Sequence, residues 1–120
     1  MGWIVAACAP SNIPLPAKVG VSLVSAAATA DHRVLVFRAC QGGHCFSDTY
    51  LQWLYGDPPA VIHTSRVDGF GEGTVVRDIR WARLHKRSAL VATIDTRQPD
   101  ADPLTLYLLP GEPGYYQVRR

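Results

Sequence analysis

The stretch RVLVFRACQGGHCFSDTYLQWLY, Arg33–Tyr55, decides the fold. Its two arms, Arg33 to Ala39 and Phe46 to Tyr55, are rich in β-branched and aromatic residues, which fit the half-buried surface of a pleated strand. Between them Cys40 and Cys45 enclose a four-residue loop, Gln41-Gly42-Gly43-His44, whose two glycines can take the positive φ values of a tight reversal. Along the second arm Leu51, Trp53 and Tyr55 share one face while Tyr50, Gln52 and Leu54 share the other, the period of two expected of a strand. The stretch therefore reads as a hairpin with two cysteines facing each other across its neck.

Outward from the hairpin the pattern repeats. Further strands are expected over Val19 to Val24, Ala60 to Val67, Thr74 to Trp81, Ala89 to Asp95, Leu104 to Leu109 and Tyr115 to Val118. Val75, Ile79 and Trp81 form an inner face opposite Val76, Asp78 and Arg80. Arg77 breaks that inner face, which calls for a sheet rim or an aspartate such as Asp48 or Asp68. Leu90, Ala92 and Ile94, then Leu104, Leu106 and Leu108, continue the core pattern. Trp81, Leu84, Leu90 and Ile94 also fit helical spacing, but the β-branched Val91, Thr93 and Ile94 select strand. After Val24 the stretch to Ala30 reads as a small-residue link.

Turn compositions lie between these segments at Gly56-Asp57-Pro58-Pro59, Asp68 to Gly73, Gln98 to Pro103 and Pro110 to Gly114. They are too short for parallel crossovers, which take a dozen or more residues. The expected fold is all-β: a single small antiparallel meander closed into a sandwich or barrel of about seven or eight strands, carrying a pinned hairpin.

Composition narrows the class. A chain of 120 residues with 48% apolar and 18% charged residues can build one core and only one. The net charge of +2 comes from ten arginines and two lysines against eight aspartates and two glutamates. The arginines are scattered through strands, and the one dense cluster, His85-Lys86-Arg87, fits a solvated hairpin tip, so no phosphate-tracking stripe forms and nucleic acid is not an expected partner. No apolar run approaches the ~20 residues of a membrane-spanning helix.

Three cysteines leave one over from any pair. Cys40 and Cys45 are placed for a disulfide; free thiols are the second possibility. A metal site drawing on Cys40, His44, Cys45 and His63 is the third, and it lacks the second short-spaced ligand pair that structural zinc sites use. Cys8 follows Val5-Ala6-Ala7 and precedes Ala9-Pro10-Ser11-Asn12-Ile13-Pro14-Leu15-Pro16, whose three prolines favour an extended polyproline II segment. Val5-Ala6-Ala7-Cys8 resembles the lipobox of bacterial envelope lipoproteins. That resemblance implies that Cys8 is lipidated and becomes the mature N-terminus, and that the domain is periplasmic. With Ala9 rather than Asp after the cysteine, it implies a tether to the outer membrane. Met1-Gly2-Trp3-Ile4 lacks the basic start and apolar run of a whole signal peptide. Residues 1–18 are accordingly read as residual signal, lipobox and Pro-rich tether, and 19–120 as the β domain.

Few groups suggest chemistry. There is no Gly-x-Ser-x-Gly, no His-Glu-x-x-His and no phosphate-binding glycine loop, because Thr74 stands where the third glycine of Asp68 to Gly73 would fall and a strand follows. His32, His44 and His85 read as solvated loop residues. His63, within the apolar Ala60-Val61-Ile62, reads as half-buried. Phe70 lies between glycines in a loop, where it suits insertion into a partner's cleft with Glu72 beside it for a polar contact, or else folds back onto the sheet. The expected function is a non-enzymatic periplasmic lipoprotein domain. It would bind another envelope protein, of inhibitor, immunity or assembly-accessory type, through Phe70, Glu72 and His44, with no cofactor, catalytic residue or metal. A small-ligand or metal-binding β barrel using His44 or His63 is the first alternative, and a hydrolytic enzyme using His63 the second. If Cys40 and Cys45 are bridged, Cys45→Ser should cost about 2–3 kcal/mol, the entropy of opening a short closed loop. Calorimetry showing equal melting of the two proteins would contradict this.

Overall fold

The computed structural model describes residues 3–7 (main chain), 12–18, 20–71, 73–96 and 100–120. Among them are nine strands: β1 Trp3–Ala7, β2 Val21–Ala28, β3 His32–Gln41, β4 His44–Tyr55, β5 Ala60–Arg66, β6 Val75–Leu84, β7 Arg87–Asp95, β8 Leu104–Pro110 and β9 Tyr116–Arg119. Consecutive strands pair antiparallel across short turns, giving one sheet in the order β2-β3-β4-β5 and a second in the order β6-β7-β8-β9. These two meanders pack on each other, and β1 adds a fifth strand beyond β9 that lies outside the expected set.

Alternation fills the space between the sheets. Val34 and Val36 of β3 and Leu51 and Trp53 of β4 meet Leu90, Ala92 and Ile94 of β7, Leu106 and Leu108 of β8 and Val118 of β9, each at most 3% exposed. At the β3–β4 tip Gln41 pairs with His44, so the loop is the two residues Gly42 (φ 59°) and Gly43 (φ 83°) rather than four. Both take the left-handed conformation that a two-residue hairpin turn requires. Directly behind it Cys40 and Cys45 form a disulfide, with Cα atoms 4.0 Å apart. The metal site expected as an alternative from Cys40, His44, Cys45 and His63 falls on this bond, since bridged sulfurs are no longer thiolate ligands. Among the described residues no three His, Cys, Asp or Glu side chains cluster to hold a metal.

Where the strand pattern was misread, a bulge is the reason. Pairing of β6 with β7 slips between Val76 and Asp78, which makes Arg77 the extra residue. The slip turns Val76 toward the core and leaves Val75 42% exposed. It also takes Arg77 off the inner face, where its guanidinium binds Asp95 at 2.6 and 3.1 Å; Asp48 and Asp68 pair instead with Arg66. A second slip makes Ile62 of β5 the extra residue, between His63 opposite Trp53 and Val61 opposite Leu54, while Tyr55 ends β4 and is exposed. A third, between Leu23 and Ser25, lets β2 continue through the alanines expected to form a link. There the small Ala27 admits Trp81, whose indole N–H donates to the Ala27 carbonyl at 3.0 Å.

The segment expected as a free tether is docked from Asn12 onward. Ile13 N–H donates to Thr64 O (3.1 Å), and Thr64 N–H donates to Asn12 Oδ1 (2.9 Å), so this strap begins on the edge strand β5. Ile13 and Leu15 then pack with Val21 on Leu35, Phe37 and Tyr50, a small second core on the outer face of the first sheet. Cys8 lies outside the described residues.

The sheets are tied where the chain passes from one to the other. The buried Tyr116 hydroxyl of β9 donates to Arg66 O and accepts from Asp68 N–H, both at 2.9 Å. One residue on, Gly69 lies so close to Val118 that a Cβ there would sit 2.5 Å from Val118 Cγ2 and 2.7 Å from its Cβ. Gly69→Ala is therefore expected to lower stability by about 1–3 kcal/mol through overpacking. Denaturant unfolding should show a lower midpoint at unchanged slope.

Candidate functional site

The hairpin tip and the β5–β6 loop face each other across an open cleft of about 660 Å³. Gln41, His44, Phe46, Ser47 and Asp48 line it from the hairpin; Arg66, Val67, Asp68, Gly71 and Gly73 line it from the other side. The disulfide holds the first wall. The second is held by Phe70, which is buried in the core at 7% exposure, and by the Thr74 hydroxyl, 3.1 Å from Phe70 O and 2.8 Å from Gly71 O. Ser47 joins the walls: its N–H donates to Thr74 O at 2.9 Å and its Oγ accepts from Val76 N–H at 2.8 Å. The loop is thus fastened at both ends rather than free.

Charge in the cleft is organised around Asp48, whose side chain is only 15% exposed. Its Oδ1 takes the Arg66 guanidinium at 3.0 Å, and its Oδ2 accepts the Tyr50 hydroxyl at 2.9 Å. Asp68 stands 3.8 Å from the same guanidinium with its side chain 70% exposed. Two carboxylates thus share one guanidinium, and the one facing solvent keeps most of its hydration and its capacity for a further donor. Burial, followed by the hydrogen bond to the Asp48 carboxylate, pushes the Tyr50 phenol up to about 12.

Of the residues expected to meet a partner, His44 is exposed on the hairpin rim of the cleft. Phe70 is not an exposed anchor. It belongs to the core with Val67, because the adjacent glycine at 69 lets the backbone approach Val118 and drops the ring inward. Glu72 lies outside the described residues. Sequence reasoning did not find the grouping of Asp48, Arg66 and Asp68, since their approach depends on the β4–β5 register that sets Tyr50 opposite Arg66.

The remaining histidines are elsewhere. His32 is not a solvated loop residue: it begins β3, half-buried, its ring centroid 6.2 Å from Trp53 and 6.0 Å from Trp81. Burial lowers its pKa against the opposing charge of Asp31. His63 is more deeply buried than expected, at 9% exposure, because it pairs with Trp53 on the inner face, with ring centroids 5.5 Å apart. Ser65 follows two residues later on that face. Among the described residues neither His63 Nε2 nor Ser65 Oγ has a hydrogen-bond partner, and neither residue lines the cleft.

No family model, curated protein or solved structure matches the chain.

The folded protein keeps the Tyr50 proton above the pH at which an unfolded tyrosine, near 10, releases it. Stability is therefore undiminished by this group below pH 10 and falls as pH rises from 10 toward about 12. Ultraviolet titration should show a late phenol that is missing in Tyr50→Phe, whose alkaline loss of stability should be shallower.

Proposed function

We propose that this domain is a binding module of the bacterial envelope that takes another protein into the cleft between its disulfide-pinned hairpin and the β5–β6 loop. The observation that carries this is the meeting of two separately fastened walls, one bearing His44 and the other Asp68, on one open polar cleft. A fixed tip spends little entropy on binding, which favours recognition by preformed loops. Inside the cleft Asp48 is occupied by Arg66 and Tyr50, so it braces the site, while Asp68 and His44 remain open to a partner. The excess of carboxylate over guanidinium suits a partner loop that brings a lysine or arginine.

The location rests on two supports. A disulfide at an exposed tip is compatible with an oxidising compartment, and Val5-Ala6-Ala7-Cys8 resembles a lipobox. On this reading Cys8 carries the lipid that holds the domain at the outer membrane, and the strap from Asn12 fixes the domain close to its anchor. The module acts by occupying its partner, as an inhibitor, immunity protein or assembly accessory does.

A photo-crosslinking residue at Gln41, introduced in the protein in its native envelope, should give one discrete adduct. Asp68→Lys and His44→Ala should each weaken that partner about tenfold, the range of an interface contact worth ~1.4 kcal/mol, with melting temperature unchanged. An adduct insensitive to both substitutions, or formed equally from Lys86 in the β6–β7 turn, would overturn the reading.

A further inference from the structure

The disulfide of the β3–β4 tip faces away from the cleft that the same tip helps to line. Arg38 and Cys40 stand two residues apart on one face of β3, and Cys45, opposite Cys40, shares that face. Gln41 and His44 form the next pair outward and point to the other face, and neither cysteine lines the cleft. Cys40 is exposed and Cys45 half-buried. The Arg38 guanidinium reaches diagonally across the ladder, its Nη2 3.5 Å from Cys45 Sγ. Among the described residues Arg38 forms no ion pair with a carboxylate, so its positive charge stays available to that sulfur.

We propose that Cys40–Cys45 is a thiol–disulfide exchange site, with Arg38 stabilising Cys45 as the departing thiolate, and that its reduction slackens the hairpin wall of the cleft. The substrate is a dithiol reductant. One of its thiolates attacks Cys40 Sγ; a new S–S bond forms there as the Cys40–Cys45 bond breaks, and the electron pair leaves with Cys45 Sγ beside the guanidinium. The reductant's second thiolate then attacks its own sulfur in that mixed disulfide and expels Cys40 as a thiolate. The reductant gives up two electrons and leaves as a disulfide, and the protons its thiols release to solvent balance those that Cys40 and Cys45 take up. Exchange is fastest when the leaving sulfur bears negative charge easily, and reactive sulfurs sit beside cations at partly exposed positions. Cys45 meets both conditions.

What the bond holds is the tip alone. Among the described residues, the last hydrogen bonds from this hairpin to another element, going toward the turn, are those of Ser47 with Thr74 and Val76. At Gly42 and Gly43 even an added Cβ would meet no atom within 4 Å, so the turn overhangs into solvent. Ala39 to Phe46 is therefore kept in register by its own ladder and by the disulfide, whereas Thr49 to Trp53 of β4 is buried. Loss of the bond loosens Gln41 and His44 and leaves the sandwich standing. This chemistry requires no partner in the cleft, so it is independent of the function proposed above.

The test follows reduction of the folded chain by dithiothreitol, with acid quenching, alkylation and mass spectrometry. Arg38→Gln should be reduced roughly threefold to fivefold more slowly than the wild type at unchanged melting temperature, and Arg38→Lys should recover most of the rate. Raising salt to about 1 M, where charge is screened within ~3 Å, should bring the wild type to the Arg38→Gln rate. With glutathione in place of dithiothreitol, the wild type should carry the tripeptide on Cys40 and the alkyl group on Cys45. Equal rates for the wild type and Arg38→Gln, or glutathione divided evenly between the two cysteines, overturns the exchange site. On reduction, amide hydrogen exchange from Ala39 to Phe46 should quicken at least about tenfold while Thr49 to Trp53 stays protected on the same timescale. A tip that keeps its protection, or a core that loses protection with it, overturns the slackening of the wall.

Discussion

The hydroxyl of Tyr116 is the contact on which the arrangement of the rest depends. Between the two meanders, β2 to β5 and β6 to β9, the chain leaves the first sheet for the second at Arg66 to Asp68. Both main-chain groups that the departure frees, a carbonyl and an N–H, are taken up by one buried phenol from the far end of the sequence. Burial raises the pKa of that phenol above its usual value, so it stays a neutral donor and acceptor. Fixing this corner fixes Gly69 against Val118 and Phe70 in the core, and thereby the wall of the cleft that carries Asp68.

Ordering at the corner bears on what the cleft can do. Asp48, Arg66 and Tyr50 form a chain of charge and hydrogen bonds along the outer face of the first sheet, next to a second small chain in which Arg33 donates to Gln52 at 2.6 and 2.8 Å and Gln52 to Thr64 at 3.2 Å. Buried polar groups are tolerated when they satisfy one another. The Gln52–Thr64 pair continues into the strap through Asn12, so the polar side chains of that face are linked to the segment that leads to Cys8.

Most of the strand order was legible because it is written locally. Alternation over Phe46 to Tyr55 and Ala89 to Asp95, bounded by Gly, Pro and Asp, specifies strands and short connections, and short connections specify antiparallel neighbours. The bulges were not legible, because an extra residue changes the phase of a strand without changing its composition; Arg77 was noticed as an intruder, yet only the register shows that it steps out of the ladder. The strap was missed since prolines signal extension but not what the extended chain lies on. Of the site, His44 could be placed on the tip of its hairpin from the two glycines beside it. For Phe70 the sequence left insertion into a partner and folding back onto the sheet both open, because a flanking glycine can free a side chain or let the backbone sink far enough to bury it, and Val118, 48 residues later, decides for burial.

Val34-Leu35-Val36-Phe37 is apolar at four successive positions and buried at all four. Such a run belongs to a strand covered on both sides, and the second cover is the proline-containing strap, with Ile13 and Leu15, rather than a third layer. The protein's colloidal behaviour therefore hangs on a thin lid. A proteolytic nick between Asn12 and Lys18 would bare Leu35, Phe37 and Tyr50 as one apolar surface while the main core stayed intact, leaving a folded but sticky species, prone to self-association.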